Sequence, residues 1–235
     1  MFFSIENFVN DYTLNIFTDA SIRRLNKKRS AGCHGAIILL GNQKLDDDYR
    51  ICTDSTSNNS EIKGIRLGVG LALKWRTVYP VSNINLFSDS QISIFGIRDR
   101  IFNWKLVGND LVGYGDNKIK NQSVFIEILN MIVRNQLCIN FYHQKGHINP
   151  EKYNDINIAI HVFSASNFVR EDIDPEFIKF ISYYNDIVDR TSRDYLYAED
   201  NIRDLNICDV LQFLPFNFKN TLEKYNQLQG GNFYV

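Results

Sequence analysis

The chain has 235 residues, 44% hydrophobic and 23% charged, with a formal net charge of −1. That balance, with 17 Phe and 12 Tyr as core material, describes a globular chain and excludes a disordered one. With 13 Gly and 4 Pro, collagen-like or low-complexity character is excluded, and near-neutrality excludes a polycation.

The N-terminal MFFSIENFVN has no basic region and meets Glu6 before any long apolar run, so no signal peptide is expected. No apolar run of the roughly 18 residues that a membrane span requires occurs anywhere. Tyr12 to Thr18 alternates and predicts a strand ending in the turn-prone Asp19-Ala20-Ser21. A basic stretch from Arg23 to Arg29 follows, and Gly35 to Leu40 reads as a second strand, so the pair predicts a hairpin with a long loop. A third short strand is expected at Tyr49 to Thr53. After the polar TDSTSNN, Ile62, Ile65, Val69, Ala72 and Leu73 recur at helical spacing and predict an amphipathic helix to about Trp75. Asn58 or Asn59 can cap it, and Glu61 is expected in its first turn, where the helix dipole favours a carboxylate.

Ile84 to Phe87 is the next strand, ending at Ser88-Asp89-Ser90, followed by a short helix from Gln91 and a loop holding Gly108, Gly113 and Gly115. Ser123 to Arg134 predicts a helix and Cys138 to His143 a fifth strand. The order β-β-β-α-β-α-α-β predicts an α/β fold, a mixed sheet with helices packed against it. Beyond His147 the sequence is polar and irregular to residue 173, with one helix near Ile156 to Phe163. Asp174-Pro175-Glu176 is a helix start, with Asp as cap and Pro at the first position, and a stripe from Phe177 through Val188 continues to about Leu196. The last 40 residues show no clear pattern, and Gly230-Gly231 reads as a frayed tail. Residues 1–150 hold 18 Lys and Arg against 13 Asp and Glu, whereas residues 151–235 hold 8 against 14, so a polyanion suits the body and not the tail. Cys33, Cys52, Cys138 and Cys208 are far apart and form no C-x-x-C pair, so free thiols and a cytoplasmic, reducing location are expected.

Two strands end alike, in Thr18-Asp19-Ala20-Ser21 and Ser88-Asp89-Ser90-Gln91. Central positions in one sheet would bring Asp19 and Asp89 side by side, with Glu61 reaching the same edge from its helix. An Asp after a strand is ordinarily turn chemistry. Three clustered carboxylates, however, repel one another unless neutralised, and a hard dication such as Mg²⁺ is the usual remedy.

In these residues the chain resembles type 1 ribonuclease H, the nuclease that cuts RNA in RNA–DNA hybrids. The family's Thr-Asp-Gly-Ser appears as Thr18-Asp19-Ala20-Ser21, and its Thr-Asn-x-Ala-Glu as Ser57-Asn58-Asn59-Ser60-Glu61. Its Asp-Ser-Gln, Gly-Ile and Asn-Trp-Lys appear as Asp89-Ser90-Gln91, Gly96-Ile97 and Asn103-Trp104-Lys105, and its Lys-Gly-His loop as Lys145-Gly146-His147. For the fourth carboxylate, Asp155 is near in sequence but its neighbours fit poorly. Asp189, in Asn185-Asp186-Ile187-Val188-Asp189-Arg190, fits better and is taken.

The resemblance implies a ribonuclease H-like fold, a mixed five-stranded sheet with helices on both faces. It would span residues 1–199 with an insertion at 148–183, and residues 200–235 would form a C-terminal extension. It further implies two Mg²⁺ ions, with Mn²⁺ a possible substitute, held by Asp19, Glu61, Asp89 and Asp189, and a proton shuttle or product-release role for His147. The expected activity is hydrolysis of the RNA strand of RNA–DNA hybrids, leaving 5′-phosphate and 3′-hydroxyl ends. Asn58, Asn59 and Gln91 match groove-contacting positions, and Trp104 and Lys105 open the substrate-binding protrusion. That protrusion is only weakly basic here, and the Arg23–Arg29 stretch either compensates or is a solvated loop. The alternatives are a nuclease of the same fold acting on DNA or junctions, and a non-catalytic hybrid-binding module. For the acidic C-terminal segment, docking on the sheet, dimerisation and a protein contact all stay open.

Overall fold

In the computed structural model, residues 4–27, 29–53, 55–144, 146, 174–198 and 218–229 are described. The fold grows from one long central strand, β1 (Thr13–Arg24), whose alternation sends Leu14 and Ile16 to one side of the sheet and Phe17 to the other. β2 (Ser30–Leu40) runs antiparallel to it, and β3 (Gln43–Thr53) runs antiparallel to β2. α1 (Ser57–Arg76) then crosses to β4 (Asn83–Ser88), which lies parallel to β1. α2 (Gln91–Arg98), a small hairpin of β5 (Lys105–Val107) and β6 (Asp110–Val112), and α3 (Gln122–Arg134) precede β7 (Asn140–His143), parallel to β4. The main sheet therefore has the order β3-β2-β1-β4-β7. α4 (Pro175–Ala198) and α5 (Phe218–Leu228) complete the described elements. None of the described helices is long and apolar enough to cross a membrane.

Helices cover both faces, as the mixed five-stranded sheet was expected to require. On one face Leu14, Ile16, Ala36 and Ile38 pack with Ile62, Ile65 and Val69 of α1 and Ile128 and Ile132 of α3. α1 lies close to the sheet because Gly68 has no side chain; a Cβ there would stand 2.7 Å from Ile16 Cγ2. On the other face Phe17, Ile37 and Phe87 pack with Phe177, Phe180, Ile181 and Val188 of α4. Phe17 and Phe87 stack across neighbouring strands at 4.9 Å.

A ladder of amides, buried at Asn15 and Asn85 and exposed at Asn140, crosses the three parallel strands. Asn140 Nδ2 donates to Asn85 Oδ1 at 3.0 Å, and Asn85 Nδ2 donates to Asn15 Oδ1 at 3.1 Å. Asn15 Nδ2 in turn donates to the carbonyls of Phe8 and Gly41. Sliding any one strand would break these bonds inside the protein, so the ladder fixes register.

Several expectations need correction. Asp19-Ala20-Ser21 is not a turn: β1 runs on to Arg24 and pairs with β2 through Arg24–Ser30. Burial overrides local turn propensity here, because Ala31 and Cys33 of β2 are sealed beneath Leu196 of α4. The long loop expected from Arg23 to Arg29 is consequently a short turn at the end of two extended strands. Thr56, rather than Asn58 or Asn59, caps α1, its side chain accepting from the Asn59 N–H at 3.3 Å. The glycine-containing loop after α2 holds the small β5–β6 hairpin. Residues 175–183, numbered within the expected insertion, form the first turns of α4. The helix expected at Ile156 to Phe163 and the Gly230-Gly231 tail lie outside the described residues.

α5 docks on the helical layer that covers the α1 face, not on the sheet. Its Tyr225 is fully buried, stacks on Phe102 at 5.8 Å and donates from its hydroxyl to the Ile97 carbonyl at 3.1 Å. Tyr225→Ala is expected to cost about 3–5 kcal/mol, the usual range for truncating a buried aromatic ring. Urea unfolding measures this; an unchanged midpoint would make α5 an appendage rather than part of the core.

Candidate active site

β1 and β4 pair in parallel up to the rung Thr18–Ser88, where β4 stops and β1 continues. The next residue on each strand is an aspartate, so Asp19 and Asp89 stand side by side where the sheet splits. Glu61 comes from one turn inside α1, whose start is tied down by the Thr56 cap and by Ser55 Oγ and Ser60 Oγ, 2.7 Å apart. One turn later Gly64 lets the helix approach β1; a Cβ there would stand 3.4 Å from the Asp19 carbonyl oxygen. Carboxylate oxygens of Asp19, Glu61 and Asp89 all lie within 4.8 Å of one another.

Asp19 is 4% exposed and Glu61 9% exposed. Burial, and after it the charges of Asp89 and Asp189, hold the Asp19 carboxyl well above its ordinary range, against the pull of the Ala20 N–H and Arg193. Glu61 is also held well above its ordinary range, by burial first and then by Asp19, Asp89 and Asp189. Glu61 Oε2 is buried and has no hydrogen-bond partner. A buried carboxylate oxygen without a donor, facing two further carboxylates, fits the oxygen-rich coordination that a hard divalent cation requires.

Asp189 lies on the inner side of α4, 9% exposed, and its charge reaches both Asp19 and Glu61. It pairs with Arg193, one turn on, at 2.5 Å. One turn before it, buried Asn185 accepts a hydrogen bond from Gln144 at the end of β7. Asn185 opens the motif that pointed to Asp189, whereas Gln144 carried no motif in the sequence, and nothing there signalled that the two would pair. Gly146 lies against Asp89, whose carboxylate occupies the space that a Cβ at 146 would take. His147, Lys145 and Asp155 lie outside the described residues. His143, read as structural, packs edge-on to Phe95, and burial lowers its pKa while a hydrogen bond to the Asp89 backbone acts the other way.

The residues matched to substrate contacts are spread around this cluster. Asn58 and Gln91 are exposed at the starts of α1 and α2. Asn59 is engaged already, donating to Asn121 Oδ1 at 3.0 Å and accepting from Ser55 at 3.2 Å. Trp104 is not an open platform: it is 9% exposed and sits edge-on to Phe125 at 4.9 Å, within the core. One edge of it lines a groove of about 330 Å³ shared with Asn58, Arg100, Tyr114, Lys118 and Lys120. Lys105 is exposed on β5. Lys118 is paired with Asp110 at 2.7 Å, which reduces the free positive charge of this protrusion.

The sequence matches the RNase H family model over residues 11–157. That stretch contains Asp19, Glu61 and Asp89 and stops short of α4. No curated protein matches the chain. Among solved structures it is similar to the PFV RNase H domain, with a TM-score of 0.53 and 17% identity over 80% of this chain and 97% of that one. It is also similar to the native Prototype Foamy Virus protease-reverse transcriptase, with a TM-score of 0.51 and 16% identity over 78% of this chain. A foamy viral protease-reverse transcriptase in complex with RNA/DNA hybrid has a TM-score of 0.48 and 15% identity over 65% of this chain. The chain spans only 21% and 19%, respectively, of those two longer proteins. At such identities the likeness shows the fold.

The raised carboxyls dictate how stability depends on pH. Their folded-state pKa values exceed the unfolded ones, so from about pH 4 upward, until the folded-state carboxyls ionise, the folded state holds more protons. Without divalent cation, stability should therefore fall as pH rises through that window. Asp19→Asn should flatten the slope and raise the melting temperature at pH 7 in EDTA. Mg²⁺ at a hundredfold excess over its Kd should stabilise the unaltered protein by about 2.7 kcal/mol and the variant by less. Thermal melts across pH, with and without Mg²⁺, measure all three; stability rising with pH in EDTA would contradict the argument.

Proposed function

Because this chain belongs to the RNase H family, we propose that it is an endoribonuclease that hydrolyses the RNA strand of RNA–DNA hybrids, leaving 5′-phosphate and 3′-hydroxyl ends. The observation that carries the reading is the meeting of Asp19, Glu61 and Asp89 within 4.8 Å, with a buried Glu61 oxygen left unpartnered. Asp19, Glu61, Asp89 and Asp189 would hold two Mg²⁺ ions, or Mn²⁺ in their place. Bound there, the ions would supply an activated attacking water and stabilise charge on the leaving 3′-oxygen.

The chain's own residues supply position. The Thr18–Ser88 rung aligns Asp19 with Asp89, the glycine-faced approach of α1 brings Glu61 in, and Arg193 orients the Asp189 carboxylate. Burial keeps bulk water from the carboxylates, which strengthens their hold on a cation and on the phosphate beside it. His147 follows Gly146 in sequence, and Gly146 abuts Asp89, so a proton shuttle or product-release role for His147 accords with this arrangement. The exposed amides of Asn58 and Gln91 both donate and accept, which suits them to 2′-hydroxyls in the minor groove, with Asn59 beside them. Trp104 and Lys105 would meet the DNA strand from the groove side.

In this reading residues 1–199, with 148–183 inserted, form the nuclease domain, and residues 200–235 are an extension. Cys33, Cys52 and Cys138 form no disulfide among the described residues, which accords with a cytoplasmic location. The amides around the carboxylates favour hybrid over DNA or junction substrates, and the intact carboxylate cluster favours catalysis over binding alone.

The test incubates the protein and an Asp89→Asn variant with Mg²⁺ and end-labelled hybrid, RNA duplex or DNA duplex. Cleavage confined to the RNA of the hybrid, abolished by EDTA, is expected. The variant should lose more than the roughly 10–100-fold that loss of an outer-shell partner costs a metal site. Cleavage of DNA instead would shift the substrate class, and hybrid binding without any cleavage would leave a binding module.

A further inference from the structure

Beyond Asp19 the central strand has lost its neighbour. β4 ends at Ser88, yet β1 and β2 continue as a two-stranded arm to Arg24 and Ser30. Among the described residues the arm thus presents an unpaired strand edge, which begins beside Asp19 where Asp89 follows the end of β4. No Asp or Glu occurs between Asp19 and Asp46, while the arm and its tip carry Arg23, Arg24, Lys27 and Arg29. Arg23, Arg24 and Lys27 form no ion pair among the described residues. Alternation puts Arg23 on the α4 side of the edge and Arg24 on the α1 side, so the two cations straddle it.

The arm is a built element rather than a loose loop. Leu196 of α4 covers Ala31 and Cys33 on one side, and Ile22 lies over Gly32 beside the start of α1 on the other. The Arg23 guanidinium lies over the ring of Tyr197 at 5.0 Å. At the tip the Leu25 and Asn26 N–H groups donate to the Arg29 carbonyl. α4 tracks the arm closely. From Asp189 to Tyr197 it rises about 12 Å, and β1 extends about 13 Å from Asp19 to Arg23. The helix therefore leaves the carboxylates and reaches the cations together with the strand.

We infer that this arm is a second phosphate-binding element, a preorganised cationic edge that engages the backbone of the hybrid beyond the scissile phosphate. The inference rests on the hybrid-nuclease reading and adds to it where the long substrate lies. A separation of about 13 Å corresponds to roughly four steps of duplex at 3.4 Å rise. The cations that the protrusion around Lys105 and Lys118 lacks are thus supplied by the β1–β2 arm. Order in the arm reduces the entropy lost on binding, so each cation acts at closer to its full strength.

Salt-dependent binding tests this. Affinity for a labelled hybrid is measured against salt concentration in the Asp89→Asn background, so that nothing is cut. One hybrid is long enough to pass the arm, and a short one covers only the carboxylates. Replacing Arg23, Arg24 and Lys27 together with Gln should make the slope for the long hybrid shallower by about 0.9 for each phosphate that is no longer neutralised. The short hybrid should show little change, and with Asp89 intact its kcat should be unaltered. Arg24→Gln with Lys27→Gln, which leaves Arg23 on Tyr197, gives a smaller change of the same sign and guards against misfolding of the triple variant. An unchanged slope with active, hybrid-cutting native protein overturns the inference and leaves the cations as guards against edge-to-edge pairing. Failure of the native protein to cut or bind any hybrid overturns the functional reading first, and the inference with it.

Discussion

Everything at the candidate site depends on one rung of one sheet. Because β1 and β4 are parallel and in register at Thr18 and Ser88, the next residue on each is an aspartate at the same height. A slip of one residue on either strand would turn one carboxylate to the opposite face and dissolve the cluster. The fold resists that slip with apolar packing on both faces and with the Asn15–Asn85–Asn140 ladder at the far end of the same strands. The ladder makes no contact with the carboxylates, yet it acts on the quantity that matters to them. Buried amides would destabilise a core if left unpaired, and here each finds the next.

The cluster is itself a source of instability that the rest of the protein must carry. Bringing Asp19, Glu61 and Asp89 within 4.8 Å, with two of them buried, opposes folding through desolvation and repulsion. Aromatic packing beneath the site, from Phe17 and Phe87 to Phe177 and Phe180, offsets that cost directly under the carboxylates. The division of labour is spatial: apolar layers inside, and an unneutralised charge cluster at the one place where the sheet opens.

Much of this was legible in the residues. Asp19, Glu61 and Asp89 sit in short motifs whose order matches a family, and Asp189 sits on a helix whose cap at Asp174-Pro175-Glu176 is unmistakable. What was not legible was set by distant partners. Asp19-Ala20-Ser21 has turn residues, and only Leu196, well over a hundred positions later, makes it strand. Trp104 carries a motif but no sign that Phe125 would close over it. Gln144 and Asn185 form a buried pair across 41 positions, which no local pattern can encode. α5 was hidden because its two buried aromatics, Phe218 and Tyr225, are too few for a clear stripe.

The docking of α5 also bears on how the protein comes into being. α4 covers one face of the sheet, and α5, the last described element, completes the helical layer over the other. A chain emerging from the ribosome N-terminus first can pair β1 to β3 early, but one face waits for α4 and the other for α5. The charge of Asp189 reaches Asp19 only after α4 docks. A chain stalled or cut short before residue 189 therefore carries Asp19, Glu61 and Asp89 without Asp189. The order of synthesis thus sets the order in which the acidic groups become available: Asp19, Glu61 and Asp89 first, and Asp189 after them.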